Sequence, residues 1–187
     1  IGTHAANLAE YISGLKIKEI AADITTFVKG RRLDDDGNCL VRYNNGAKGV
    51  LHASQVSIGK ENDLAIWVHG ENKSLEWHQE HPNYLYVDGL NQPTEVWKRG
   101  NDYVGEKSAA AGRATRTPFG HPEAFLESVA NIYKNFGDTV AAKLTGQEPD
   151  ELMLDFPNVD DGVRGMVFIE TVVKSAASDQ KWFPVEY

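Results

Sequence analysis

The sequence predicts an α+β fold: an open, mainly antiparallel β-sheet with helices packed on one face. Period-two runs rich in β-branched and aromatic residues fill the middle of the chain, and apolar stripes of helical period lie at both ends. The two kinds of segment are grouped rather than alternating, as they would alternate around a parallel sheet. Several strands alternate cleanly, which buries one sheet face and leaves the other free for oligomerisation.

The first element is a helix, with Leu8, Tyr11, Ile12 and Leu15 at helical spacing and Gly14 placed to end it. In KEIAADITTFV, Ile20, Ala22, Ile24 and Thr26 alternate with the residues between them, which reads as a strand. GRRLDDDGN is a polar turn region whose aspartates read as a solvated loop. Asn45-Gly46 then supplies the positive-φ residues of a tight hairpin between strand-like runs. Gly70 to Lys73 turns a second pair of strands, and NYLYVDG and TEVWKRG form a further pair, so residues 18–99 read as one meandering sheet. GEKSAAAGRATRTPFG lacks any period and reads as a long loop. A long helix follows, entered at Pro122 and Glu123, with Phe125, Val129, Ile132, Phe136 and Val140 on its inward face. A last helix, capped by an aspartate, turns Val163, Met166, Val167 and Val173 inward. The tail QKWFPVEY reads as a closing strand or an extended strap.

A length of 187 residues suits one domain with a real core. A net charge of −8 argues against nucleic acid as a partner, which calls for a basic face. There is no apolar run long enough to span a membrane, so a membrane partner is not expected. Cys39 is the single cysteine and cannot form an internal disulfide; a cytoplasmic setting is the default. The sequence carries no G-x-G-x-x-G or G-x-x-x-x-G-K-[ST] phosphate cradle, no H-E-x-x-H, no G-x-S-x-G and no C-x-x-C. His78 and His81 are three apart, but Pro82 follows at once and breaks any shared helical face, so no metal is expected. On these residues alone the chain reads as a binding or oligomerisation domain.

Four stretches, in order, resemble the C-terminal domain of the glucose–fructose oxidoreductase / inositol dehydrogenase (Gfo/Idh/MocA) family: IGTHAANLAEYISG, GENKSLEWHQEHPNYLYV, TPFGHPEAFLESVANIY and DDGVRGMVFIETVVKSAASDQKWFPV. The resemblance implies a fold like the C-terminal domain of glyceraldehyde-3-phosphate dehydrogenase. It makes residues 1–187 a substrate-binding and oligomerisation domain, with the N-terminal Rossmann domain and its catalytic lysine absent from this chain. The family's catalytic phrase is an aspartate, three residues and a histidine; here that histidine is His4, and the aspartate would immediately precede Ile1.

What the resemblance implies for function is a C-terminal domain of an NAD(P)-dependent dehydrogenase, passing hydride from a sugar or cyclitol hydroxyl to NAD or NADP. His4 would accept the hydroxyl proton, a task suited to an imidazole. The cofactor would be bound mainly by the absent domain, and the fragment alone would be inactive. Taken without the resemblance, His4 reads as a helix-start residue bonded to a loop. The candidate substrate contacts are His121, at a helix start where it could equally act as a cap, Asn7, one turn from His4, and Arg113 and Arg116, which could reach substrate or cofactor or lie in solvent. Trp67, Trp77, Trp97 and Trp182 read as core or subunit-interface residues, and a homo-oligomer paired through the sheet face is expected. The alternative from another class is a non-catalytic binding or scaffold protein on the same fold.

Overall fold

The computed structural model describes residues 1–187. They fold as two compact units, Ile1–Glu61 with Asn158–Tyr187, and Asn62–Pro157. The α+β reading holds in both, but the single expected meander is two four-stranded antiparallel sheets, one in each unit.

In the first unit, helix α1 (Gly2–Ser13) ends at Gly14, whose φ of 67° lets its N–H return to the carbonyl of Glu10. Strands β1 (Ile17–Thr25), β2 (Asp36–Tyr43) and β3 (Lys48–Ser54) follow. Helix α5 (Val159–Ala176) and the short strand β8 (Phe183–Pro184) complete a sheet of order β3-β2-β1-β8. The tail is thus both things the sequence allowed: two residues of strand beside Glu19 and Ile20, then a strap. A register irregularity between Ile17 and Glu19 interrupts the strict period of β1, so that Ile17 and Ile20, three apart, both turn inward. They meet Cys39, Val41 and Leu51 from the sheet and Ala6 and Phe168 from the helices. Burial pushes the Cys39 thiol up to about 11.

The hairpin at Asn45-Gly46 forms, with a different geometry from that expected. Only Gly46 has positive φ, and its N–H bonds back to the Tyr43 carbonyl. The loop is therefore a three-residue turn closed by one left-handed glycine, not a two-residue turn with two. Helix α5 is capped by Asn158, not by an aspartate: its side chain accepts from the amides of Asp160 and Asp161, and Asp161 returns the bond to the Asn158 amide.

Its buried face also differs from expectation. Phe168, Thr171 and Ser175 are covered, whereas Val163, Met166 and Val173 are each about half exposed. At Ser175 the reason is a backbone donor. β8 is only two residues long, and beyond it the Ala22 amide finds its acceptor in the Ser175 hydroxyl at 2.9 Å. An apolar side chain at 175 would leave that N–H unpaired.

The second unit holds β4 (Ala65–His69), β5 (Lys73–His78), β6 (Tyr84–Gly89) and β7 (Glu95–Lys98), paired in chain order. Helices α2 (Asp102–Lys107) and α3 (Ala109–Ala114) stand where a long loop was expected. Alanines favour helix even without an apolar stripe, and Ser108 caps α3 by accepting from the Ala111 amide. Helix α4 (Phe125–Leu144) begins three residues later than Pro122, because Glu123 is drawn elsewhere. Its covered residues are Asn135, Thr139 and Ala142, while Phe125, Ile132, Phe136 and Val140 lie exposed. Asn135 and Thr139 face inward because they donate to the carbonyls of Asp155 and Met153.

Candidate functional site

His4 and Asn7 project from α1 in the first unit, both exposed. The His4 amide bonds to the Ile1 carbonyl at 3.0 Å, and its ring makes no hydrogen bond, leaving both ring nitrogens available. The helix that carries it is held at three points. Gly2 lies against Ala53 and Phe168, where a Cβ would already be in contact at 3.7 and 3.8 Å. Ala6 is in the core. Glu10, 8% exposed, is clamped by Arg164 of α5, which reaches both carboxylate oxygens at 3.0–3.1 Å.

The Glu10 carboxylate also accepts from the Ile17 amide at 2.7 Å and the Tyr187 hydroxyl at 3.4 Å, and pairs with the ammonium of Lys16 at 3.5 Å. The Arg164 guanidinium lies 3.5 Å over the Tyr187 ring. Burial, reinforced by Glu10, pushes the Tyr187 hydroxyl up to about 12. Burial works against the Arg164 charge, but its bonds to the Glu10 carboxylate and that group's charge prevail and raise its pKa. A cavity of about 90 Å³ opens beside this cluster, lined by Thr3, Asn7, Asp161 and Arg164 among others, so Asn7 faces it.

The other sequence candidates lie in the second unit. The Arg113 guanidinium donates to Asn135 at 3.0 Å and Asp138 at 2.8 Å, tying α3 to α4. Lys134 shares that carboxylate, and its bond is the first cause of the lowered Asp138 pKa. Arg116 donates to Asn131 at 2.7 Å and to the Ala130 carbonyl at 2.8 Å along the flank of α4. His121 is exposed, and its ring reaches only the carbonyl of Phe119 at 3.3 Å; it does not cap α4, which starts at Phe125 behind Ala124. His78 is bonded to Glu76 at 2.6 Å and lies edge-on to Trp67.

A group that pattern reading missed surrounds His121. Glu123, 7% exposed, accepts from the amides of Arg116 and Thr117, from the Thr117 hydroxyl, and pairs with Arg99 at 3.0 Å. Asn83 accepts from the Glu123 amide and from Arg99 Nε, and donates to the Glu123 carbonyl. The one available signal was Glu123 itself, a charged residue between Pro122 and an apolar helix start.

A family model for the GFO/IDH/MocA C-terminal domain matches residues 1–76, the stretch that holds α1 and the whole first meander. An oxidoreductase from Sinorhizobium meliloti is 41% identical and superposes with a TM-score of 0.90, over 98% of this chain and 50% of that one. Residues 1–76 belong to the C-terminal domain of the Gfo/Idh/MocA family, and the likeness to the oxidoreductase extends over 98% of the chain. An inositol dehydrogenase homolog from Azotobacter vinelandii, solved in complex with NADH and myo-inositol, is 33% identical with a TM-score of 0.86, over 98% of this chain and 48% of that one. The uncharacterized oxidoreductase YfiI of Bacillus subtilis is 31% identical over 186 residues, 97% of this chain and 46% of the relative. The chain therefore spans about half the length of these relatives. No helix in it is long and apolar enough to cross a membrane.

Proposed function

We propose that this chain is the substrate-facing and oligomerisation domain of an NAD(P)-dependent oxidoreductase that oxidises a hydroxyl of a sugar or cyclitol. The observation that carries the reading is His4: an exposed imidazole without a ring partner, on a helix held at three points, in a chain similar to an inositol dehydrogenase homolog solved with myo-inositol. Every strand pairing here is antiparallel, so these residues offer no strand–helix–strand crossover on which to seat a dinucleotide. The nicotinamide belongs to another part of the longer protein and supplies the hydride acceptor.

The work left to this chain is proton handling and recognition. His4 takes the hydroxyl proton, a step for which general-base catalysis contributes on the order of 100- to 10,000-fold. Asn7 in the first unit, and His121, Arg116 and Arg113 in the second, are each offered as polar contacts to substrate hydroxyls. Both arginines are held against α4 by bonds to Asn135, Asp138, Asn131 and the Ala130 carbonyl. Subunits pair through the outward sheet faces, where Val50 and Trp67 stand exposed.

The test uses the full-length protein and its His4→Ala variant on a panel of sugars and inositols, following absorbance of the reduced nicotinamide. Turnover of a polyol that falls by about 100-fold or more in the variant supports the reading. Turnover unchanged by the substitution removes His4 from the chemistry. No turnover on any member of the panel favours a binding or scaffold role. Sedimentation that finds only monomer at high concentration would sink the pairing of sheet faces.

A further inference from the structure

The segment from Thr115 to Ala124 links two helices, yet it is tied down far beyond what a link needs. Arg99, just past β7, reaches it with its whole guanidinium. Nη1 donates to the Thr117 carbonyl at 2.9 Å and pairs with Glu123 at 3.0 Å. Nη2 donates to the Thr117 hydroxyl at 3.3 Å and to the carbonyl of His121. Nε is fixed by Asn83 at 2.8 Å.

The next residue presses on the same loop from another side. Gly100 has a φ of +81°, and a Cβ there would stand 2.9 Å from the Phe119 amide nitrogen and 3.2 Å from its Cα, backbone that cannot yield. The single Thr117 hydroxyl proton lies within reach of the His121 carbonyl at 2.8 Å as well as of Glu123 at 2.9 Å. A mostly buried ion pair is a weak source of net stability but a good way to fix one geometry. What this geometry presents is the exposed His121 imidazole, with its carbonyl held by the Arg99 guanidinium and within reach of the Thr117 hydroxyl.

We infer that Arg99 is a positioning residue for substrate recognition: its fork, backed by Glu123 and Gly100, holds the His121 carbonyl so that the imidazole meets a polyol hydroxyl on a preformed loop. The inference rests on the proposed function and deepens it. A lysine at position 99 keeps the charge opposite Glu123 but cannot span the Thr117 carbonyl, the Thr117 hydroxyl and the His121 carbonyl together. Recognition then carries the cost of ordering the loop at each binding event.

The experiment compares full-length wild type, Arg99→Lys, His121→Ala and the double variant on the polyol that the wild type turns over best, with KM taken separately for polyol and nicotinamide. Arg99→Lys raises the polyol KM about tenfold or more while the nicotinamide KM holds. The double variant is no worse than His121→Ala alone, because the two act through one contact. Gly100→Ala, should the lysine variant fail to fold, raises the same KM. A wild-type polyol KM in Arg99→Lys overturns the inference, as do additive effects in the double variant, equal rises in both KM values, or a His121→Ala enzyme with unaltered polyol KM. A wild type that turns over no polyol removes the proposed function itself, and this inference with it.

Discussion

Glu10 in the first unit and Glu123 in the second are both under a tenth exposed and both face an arginine, yet the segments they join differ in kind. Glu10 gathers parts of the chain that lie far apart: Arg164 is 154 positions away and Tyr187 is 177. It closes a helix layer and a tail over a sheet, and α1 cannot shift along α5 without breaking it. Glu123 gathers near neighbours, and its farthest partner, Asn83, is 40 positions away. It shapes one loop. Similar chemistry therefore serves tertiary assembly in one place and local geometry in the other. The two should fail differently: loss of the Glu10 clamp loosens a whole layer, whereas loss of the Glu123 hub loosens a segment.

The largest effect expected from this contrast is at Arg164. Arg164→Ala leaves the Glu10 carboxylate buried beside an amide and a lysine that cannot replace a bidentate partner, at about 3 kcal/mol or more. Hydrogen exchange on the full-length protein should show protection falling throughout α1 and β1. Protection lost only at the chain ends would mean that the clamp is not what joins the layer. Next comes Glu123→Ala, which strands the Arg99 charge and the Arg116 and Thr117 amides, at about 2 kcal/mol. Here the exchange should quicken between residues 115 and 124 and leave β4 to β6 unchanged. A collapse of the whole second sheet would erase the contrast with Glu10. Asn83→Ala, which removes one acceptor serving both Glu123 and Arg99, should reproduce the same map at about 1 kcal/mol.

These carboxylates also mark the limit of what the sequence could reveal. Strands were legible because alternation and turn residues are local properties, and the glycines at 14, 46 and 70 sit where turns or caps were read. Which strands share a sheet is a non-local property, and the two meanders merged into one in the reading. Helices α2 and α3 carry no stripe and were missed. The inward faces of α4 and α5 were misjudged for one shared reason: Asn135, Thr139 and Ser175 are inside because they satisfy backbone groups, which no apolar pattern reports. Among the candidate residues, His4 was picked out through the resemblance to a family phrase and His121 by its place before a helix start. Arg99, Arg164 and Tyr187 were invisible because their meaning lies in partners elsewhere in the chain.

The smallest expected effect isolates the tail's contribution to the Glu10 clamp. The Tyr187 pKa is raised, chiefly by burial and then by the Glu10 charge, from 10.0 to about 12. A raised pKa on an acid means that the folded chain holds the proton more tightly than the unfolded one, so the associated stability is complete below pH 10 and is lost between about 10 and about 12. Tyr187→Phe keeps the ring under Arg164 and gives up only a 3.4 Å bond, so near neutral pH it should change stability by about 0.5 kcal/mol or less. In alkali the order should reverse, with the phenylalanine chain losing less stability than the wild type over the same interval. Urea unfolding at pH 7 and at pH 11 reads both at once. Parallel losses in the two chains would mean that the hydroxyl titrates as if free, and that the strap rests on the Glu10 clamp through its ring alone.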